Sequence, residues 1–281
     1  MKYQLSLFLV CSAIILCAFV CIGVSGERAY TDMHFFDVGQ GDSALVTLPE
    51  GINILIDGGP GNALARELSS ALPLFDRTID VVMVTHPEKD HYEGLIDVLD
   101  RYTVRAVLYN GRVSENDSWV SFVEKIHEKE IPFLAMRAGD SITYKDAHVR
   151  FLWPDDTYGG EGNDASLVCM FYDEERRVLF SGDIGFSIEE KLVENYDIDA
   201  DVLKAPHHGS KFSSGASFMS GTTPLFTVFS AGRDNSYGHP SEKAMDRVAR
   251  IGSEIYRTDT DGGVHVYLQD GMMSVFTREG Q

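Results

Sequence analysis

The stretch Val81-Val82-Met83-Val84-Thr85-His86-Pro87-Glu88-Lys89-Asp90-His91 decides how the chain is read. Its first four residues are apolar and mostly β-branched, which predicts a strand buried on both faces of a parallel sheet. Pro87 has no N–H to donate, so the ladder stops there. His86, Glu88, Asp90 and His91 then put four metal-ligand residues into six positions. They fall on the loop past the carboxyl end of a strand, where open α/β sheets build their sites. Imidazole and carboxylate at this density suit a divalent metal ion. A solvated loop rich in capping acids is the competing reading of this stretch taken alone.

Working outward, the chain alternates β-rich and α/β segments. Strands are predicted at 34–38, 43–48 and 52–56, the last running into Asp57-Gly58-Gly59-Pro60-Gly61. Helices follow at 63–74 and 94–102, a strand at 104–109, a helix at 119–129 and a short strand at 132–136. Hairpins are predicted at 141–152 and 167–181, then a helix at 187–195 and a strand at 201–204. A strand at 225–230, a helix starting at Ser241 and a closing hairpin at 264–276 complete the order. The two halves share a plan of hairpin followed by strands alternating with helices. Two sheets face to face with helices outside account for that plan as one domain.

Four strand ends carry the same kind of chemistry. Asp57 follows the third strand, the His86–His91 cluster the fourth, Asp183 the strand at 177–181, and His207 with His208 the strand at 201–204. One such residue means little, but four at equivalent loop lips point to a site.

Residues 1–26 read separately from this plan. Lys2 precedes an uncharged, mostly apolar run from Tyr3 to Val24, and Val24-Ser25-Gly26 offers small residues for a signal peptidase. The expectation is a signal peptide or N-terminal membrane anchor at 1–26 and a hydrolase domain at 27–281. The domain is then secreted or anchored at the outer face of the cytoplasmic membrane. Three of the four cysteines lie in that leader, so Cys169 has no disulfide partner within the domain and reads as a buried thiol. The formal charge of −19 repels phosphate backbones at long range, so an anionic substrate must be gripped locally. Lys204, Lys211 and Arg233 are the cations expected near the site. There is no GxSxG elbow, P-loop or dinucleotide fingerprint, which argues against serine hydrolysis and nucleotide cofactors.

With these residues in view, the sequence resembles the metallo-β-lactamase superfamily. The ligand cluster reads HPEKDH where that superfamily has HxHxDH, with Glu88 in place of the second His. A narrower resemblance rests on FFDVGQGDSALV (Phe35 to Val46), THPEKDHYEG (Thr85 to Gly94), FSGDIG (Phe180 to Gly185), APHHGS (Ala205 to Ser210) and YGHPS (Tyr237 to Ser241). These are similar to the extracytoplasmic hydrolase domain of the ComEC family of DNA-uptake proteins, over roughly residues 31–270. A counterpart of the family's membrane channel is not expected in this chain, and a role in DNA transport is not expected to carry over.

The resemblance implies a four-layer αββα sandwich, two mixed sheets face to face with helices outside. It implies one or two divalent ions, Zn2+ or Mn2+, held by His86, Glu88, Asp90, His91, Asp183 and His207. Asp57 and His208 are expected beside the ligands rather than on the metal. The loop at 162–166 lacks the histidine that two-metal members carry there, and Asn163 and Ser166 are expected to face substrate with Lys211 and Arg233. Asp183, Asp90 and His239 are the expected catalytic groups. The function implied is a phosphodiesterase or nuclease using a metal-activated hydroxide on an anionic phosphodiester, with DNA among the candidates. Hydrolysis of a small lactam, lactone or thioester is one alternative, and a non-catalytic binding module with a decayed site is another. Contact with a membrane is expected only through the N-terminal segment, and no protein partner is legible. His34, His127, His148 and His265 lie in strand or helix runs and read as structural.

Overall fold

The computed structural model describes residues 31–173, 176–269 and 272–278. The expected leader lies outside these residues. Among the described residues no helix is long and apolar enough to cross a membrane. The strands in chain order are β1 (Thr31–Phe35), β2 (Ala44–Thr47), β3 (Asn53–Ile56), β4 (Thr78–Ile79), β5 (Val81–Val84), β6 (Thr103–Val104), β7 (Val107–Tyr109), β8 (Phe133–Ala135), β9 (Ser141–Tyr144), β10 (Ala147–Trp153), β11 (Val168–Tyr172), β12 (Arg177–Phe180), β13 (Val202–Lys204), β14 (Phe226–Phe229), β15 (Glu254–Arg257), β16 (Val264–Gln269) and β17 (Met272–Thr277).

They form two large mixed sheets. The first has the order β17-β16-β1-β2-β3-β5-β7-β8 and the second β15-β14-β13-β12-β11-β10-β9. Each sheet is antiparallel on one side and parallel on the other. Parallel pairing begins at β3–β5 in the first sheet and at β12–β13 in the second.

Alternation along the strands explains the layers. Met83 points between the sheets, where it packs with Phe35, Ile56, Phe171, Val178 and Phe180. Its neighbours Val82 and Val84 point outward and meet Leu64, Leu95, Leu99 and Phe122 from the helices Ala63–Ala71, Leu95–Arg101 and Asp117–Glu128. The same happens in the second sheet. Leu179 and Leu203 face outward onto Ile188, Leu192, Phe218 and Val248 of the helices Phe186–Asn195, Ala216–Thr222 and Glu242–Arg250. Strands covered on both faces must be apolar throughout, which is why VVMV carries no period-two pattern. The result is the αββα sandwich expected from the sequence.

The structure departs from the expected elements at several places, three of which bear on the layers. The strand expected at 104–109 is two strands, because β6 joins β4 in a small separate sheet while β7 joins the first large one. The helix Ala216–Thr222 was not expected, since ASFMSGT holds a glycine and two serines and little helix propensity. β15 was also missed, because Glu254–Arg257 is a parallel strand paired on one edge only, to β14, and brings just two apolar residues.

Candidate metal centre

The parallel strands place the chemistry. Asp57 directly follows β3, the His86–His91 segment follows β5, Asp183 follows β12, and His207 and His208 follow β13. All four loops emerge at the same ends of strands that run in the same sense within their sheets, so the two sheets present their ligand loops to a common lip. Two close backbone approaches hold the lip together. A Cβ on Gly41 would meet the Asp90 carbonyl oxygen at 2.3 Å, and one on Gly94 would meet that of Gly58 at 2.1 Å. Only glycine permits the GQGD turn to lie against the ligand loop, where Asp42 N donates to Asp90 O at 3.1 Å.

Three buried histidines are oriented by acceptors on their Nδ1 side. His91 Nδ1 lies 2.8 Å from Asp57 Oδ2. Asp57 is itself fixed by the Thr85 N–H at 2.8 Å and the Thr85 hydroxyl at 2.7 Å. His208 Nδ1 lies 3.0 Å from both Ser230 O and Asp42 Oδ1. His86 Nδ1 lies 3.1 Å from Thr85 Oγ1 and 3.2 Å from Ser166 Oγ. Both hydroxyl protons are already committed, Thr85 to Asp57 and Ser166 to Asn163 O at 2.6 Å. These oxygens can therefore only accept from His86. Each ring thus carries a proton on Nδ1 and turns Nε2 inward.

Those nitrogens converge on Asp183. Its Oδ2 is 3.2 Å from His208 Nε2 and 3.4 Å from His91 Nε2. Asp90 Oδ2 is 3.5 Å from His208 Nε2. Among the described residues, His86 Nε2, His91 Nε2, His208 Nε2 and Asp183 Oδ1 are buried without a hydrogen-bond partner. Buried polar atoms are normally satisfied, and orphans gathered at one point fit a cation. Compact donor groups at the lip include His86–His91–Asp183, Asp90–His91–His208 and Asp42–Asp183–His208. The donor set fits a divalent ion.

The electrostatics match. Burial works against the charged forms of His91 and His208, but their carboxylate neighbours outweigh it. Asp183 and Asp57 hold His91, and Asp183 and Asp42 hold His208, well above the usual imidazole range. Asp183 is held well below the usual carboxylate range, burial being outweighed by His208 and His91. His86 is pushed down to about 3 by burial and by His91, so it is neutral. His239 is pushed down to about 4 by burial and by His208 and His207. Asp57 is pushed up by burial despite the pull of His91.

The expected residues fall into distinct places. His86, Asp90, His91 and Asp183 come together as anticipated from the strand ends. Asp57 touches the Nδ1 side of His91, the orienting position expected of it. His207 and His208 exchange places. The His208 side chain is 2% exposed and faces Asp183, whereas that of His207 is 30% exposed with Nε2 4.0 Å from Asp183 Oδ2. Backbone geometry separates them, since both occupy positive φ in the tight turn Pro206–Gly209 and so point to different sides. His207 Nε2 instead lies 3.0 Å from the Asn163 amide. Glu88 is exposed and belongs to none of the compact donor groups. Ser166 contacts His86 and accepts from Asp183 N at 3.1 Å, so it braces the ligands. His239 stands at the rim, its ring centroid 5.6 Å from that of His207 and 6.4 Å from that of His208.

Lys204 is not available to substrate. It is buried, with Nζ 2.7 Å from Asp42 Oδ2 and donating to Ala205 O at 2.9 Å. Lys211 and Arg233 remain exposed, although Arg233 Nε also donates to Asp259 O at 3.2 Å. Sequence reasoning undervalued Asp42 and Thr85. The signal was present, since Asp42 sits in DVGQGDS and Thr85 directly precedes the ligand cluster, but both also suit ordinary turn chemistry.

Comparison with known proteins agrees with this geometry. The profile of the Metallo-beta-lactamase superfamily matches residues 36–219. ComE operon protein 3 of Bacillus subtilis is 28% identical over 95% of this chain, and the match covers 37% of that protein. Recombination protein 2 of Haemophilus influenzae is 26% identical over 92% of this chain and 31% of its own length. The chain therefore spans about a third of the length of these relatives. Among solved structures, the metallo-beta-lactamase fold protein YhfI of Bacillus subtilis superposes with a TM-score of 0.58 at 11% identity. That match covers 84% of this chain and 99% of YhfI, and it speaks for the fold alone.

Proposed function

The chain belongs to the metallo-beta-lactamase superfamily, and from that premise we propose that it is a metal-dependent phosphodiesterase acting outside the cytoplasmic membrane. The observation that carries the reading is the convergence of three buried imidazole nitrogens, without hydrogen-bond partners, on Asp183 at the lip of both sheets. His91, His208, Asp90 and Asp183 would hold one divalent ion. His86 with the shared Asp183 would begin a second position, which the exposed Glu88 leaves short of donors. Three imidazoles weigh toward Zn2+ over Mn2+. An ion bound there supplies Lewis acidity at the scissile ester and acidifies water.

The remaining roles belong to the chain itself. Asp57 fixes the tautomer of His91, and Ser230 O, with Asp42 beside it, that of His208. His239, half-buried at the rim and neutral near pH 7, is placed as a hydrogen-bond partner for substrate. Lys211 and Arg233 are exposed cations suited to an anionic group. A nucleic acid, DNA first, is the preferred substrate, because the relatives bear names from competence and recombination. The export expectation rests on the leader-like composition of residues 1–26.

Metal analysis of the purified chain followed by assays on a simple phosphodiester, DNA and a β-lactam tests the reading. Stoichiometric metal with phosphodiester turnover supports it. Lactam turnover alone would move the chain to the small-ester and lactam class. Neither metal nor turnover would leave a binding module.

A further inference from the structure

A second cluster of ligand-type side chains lies away from the lip, on the outer face of the first sheet. Asp32 and His34 are two apart on β1, so they share a face, and His265 on β16 is the direct cross-strand partner of His34. From the sequence both histidines read as structural members of their strands. The structure instead stacks their rings face to face, with centroids 3.7 Å apart and planes inclined by 16°. Both rings turn Nε2 onto one carboxylate. His34 Nε2 is 3.5 Å from Asp32 Oδ2, and His265 Nε2 is in direct contact with Asp32 Oδ1. Asp32 is 3% exposed and forms the floor of a cleft of about 450 Å³ that is also lined by Glu67, Tyr267 and Arg278.

We propose that Asp32, His34 and His265 form a second metal site, distinct from the centre at the lip, which takes a divalent first-row transition ion such as Zn2+. Three donor atoms, two nitrogens and one oxygen, lie within 4.8 Å of one another. Ligands at about 2.1 Å around a tetrahedral ion stand ~3.4 Å apart, close to the His34–Asp32 spacing. Two imidazoles and a carboxylate select zinc, cobalt or nickel over calcium and magnesium, which favour all-oxygen sets. The open side of the cleft leaves a coordination position for water. Asp32 and His265 are 233 positions apart in the chain. An ion here would therefore staple the first strand of the sheet to the closing hairpin and stabilise the fold by mass action.

The test is zinc stoichiometry of the full chain by elemental analysis. The variants are His34→Gln/His265→Gln and, as the control for the lip, His91→Gln/His208→Gln. The expected result is one equivalent of zinc lost from the first variant relative to wild type, and that same equivalent retained in the second. Equal zinc in wild type and His34→Gln/His265→Gln would overturn the proposal and leave Asp32 in an ion pair only. A cobalt(II) titration of the His91→Gln/His208→Gln chain leaves the new site intact. One tightly bound equivalent with the absorption of a four-coordinate ion supports the proposal, and no bound cobalt overturns it. Neither outcome depends on hydrolytic activity, so failure here is separate from failure of the phosphodiesterase reading.

Discussion

Asp42 Oδ1 stands 3.0 Å from His208 Nδ1, leaving His208 Nε2 to face Asp183. The other oxygen of Asp42 takes the buried ammonium of Lys204. Burial alone would raise the Asp42 carboxyl, but Lys204 and His208 pull it down to about 2. Asp42→Asn keeps the shape and removes the charge. The expected outcome is metal affinity weaker by about 10–100-fold, measured by chelator competition. It also costs several kcal/mol of stability, because Lys204 is left buried and unpaired. Unchanged affinity would mean that Asp42 serves only to neutralise Lys204.

The two adjacent histidines separate cleanly by substitution. His208→Ala is expected to abolish tight metal binding and turnover. His207→Ala, on the exposed side of the turn, is expected to keep the metal and change substrate binding by about tenfold or less. Glu88→Ala is expected to leave metal content unchanged. Metal loss in His207→Ala with retention in His208→Ala would reverse the assignment.

Metal and protons compete at the lip. His91 and His208 have folded pKa values raised above the unfolded one. In the metal-free protein their pairing with carboxylates contributes stability fully present below the unfolded imidazole pKa and lost as pH rises through the folded values. An ion must displace those protons, so zinc affinity is expected to rise with pH and binding to release protons. Calorimetry in buffers of differing ionisation enthalpy reads the release, and a value of zero would contradict the protonated cluster.

Glu189 adds a pH signature of the same sign in a second place. It is buried, and its carboxylate accepts from Ser214 N at 2.5 Å and Gly215 N at 2.7 Å. Burial pushes it up to about 7 against those donors. Between about pH 4.5 and pH 7 the folded state binds more protons than the unfolded, so stability falls as pH rises through that window. The contribution is on the order of 3 kcal/mol at most. Glu189→Gln should flatten the dependence in denaturant melts. An identical slope in the variant would locate the titration elsewhere.

Salt dependence tests the acidic surface. With Lys204 committed to Asp42, Lys211 and Arg233 are the exposed cations by the site among the described residues that the reading retains. DNA binding should then show a shallow slope of about two phosphates, and Lys211→Ala should reduce it by about one unit. Arg66→Ala, on the outer helix Ala63–Ala71, should leave it unchanged. A steep slope would reveal a basic track across the fold.

Much of this was legible from local pattern. VVMV followed by HPEKDH located the central strand and its ligand loop, because strand burial and ligand density are both written in consecutive residues. The hairpin at Ser141–Tyr144 and Ala147–Trp153 was equally local. What was not legible depended on partners far away in sequence. Which of His207 and His208 turns inward is set by two positive-φ residues in one tight turn. Lys204 looked like a substrate cation because nothing nearby in sequence announces Asp42 as its partner. His34 and His265 looked structural for the same reason, since only strand pairing sets them side by side.

The pairing of β1 with β16 has a consequence for how the protein is made. β1 lies between β2 and β16 in the first sheet. As the chain leaves the ribosome, β1 can pair early with β2, but its other edge stays open until residues 264–269 arrive. Until then the growing chain exposes an unpaired strand edge bearing Asp32 and His34 on one face. Charged side chains on such an edge discourage pairing with a neighbouring chain. Closure by so distant a segment makes the last step slow by topology, which predicts that truncations before β16 aggregate rather than fold.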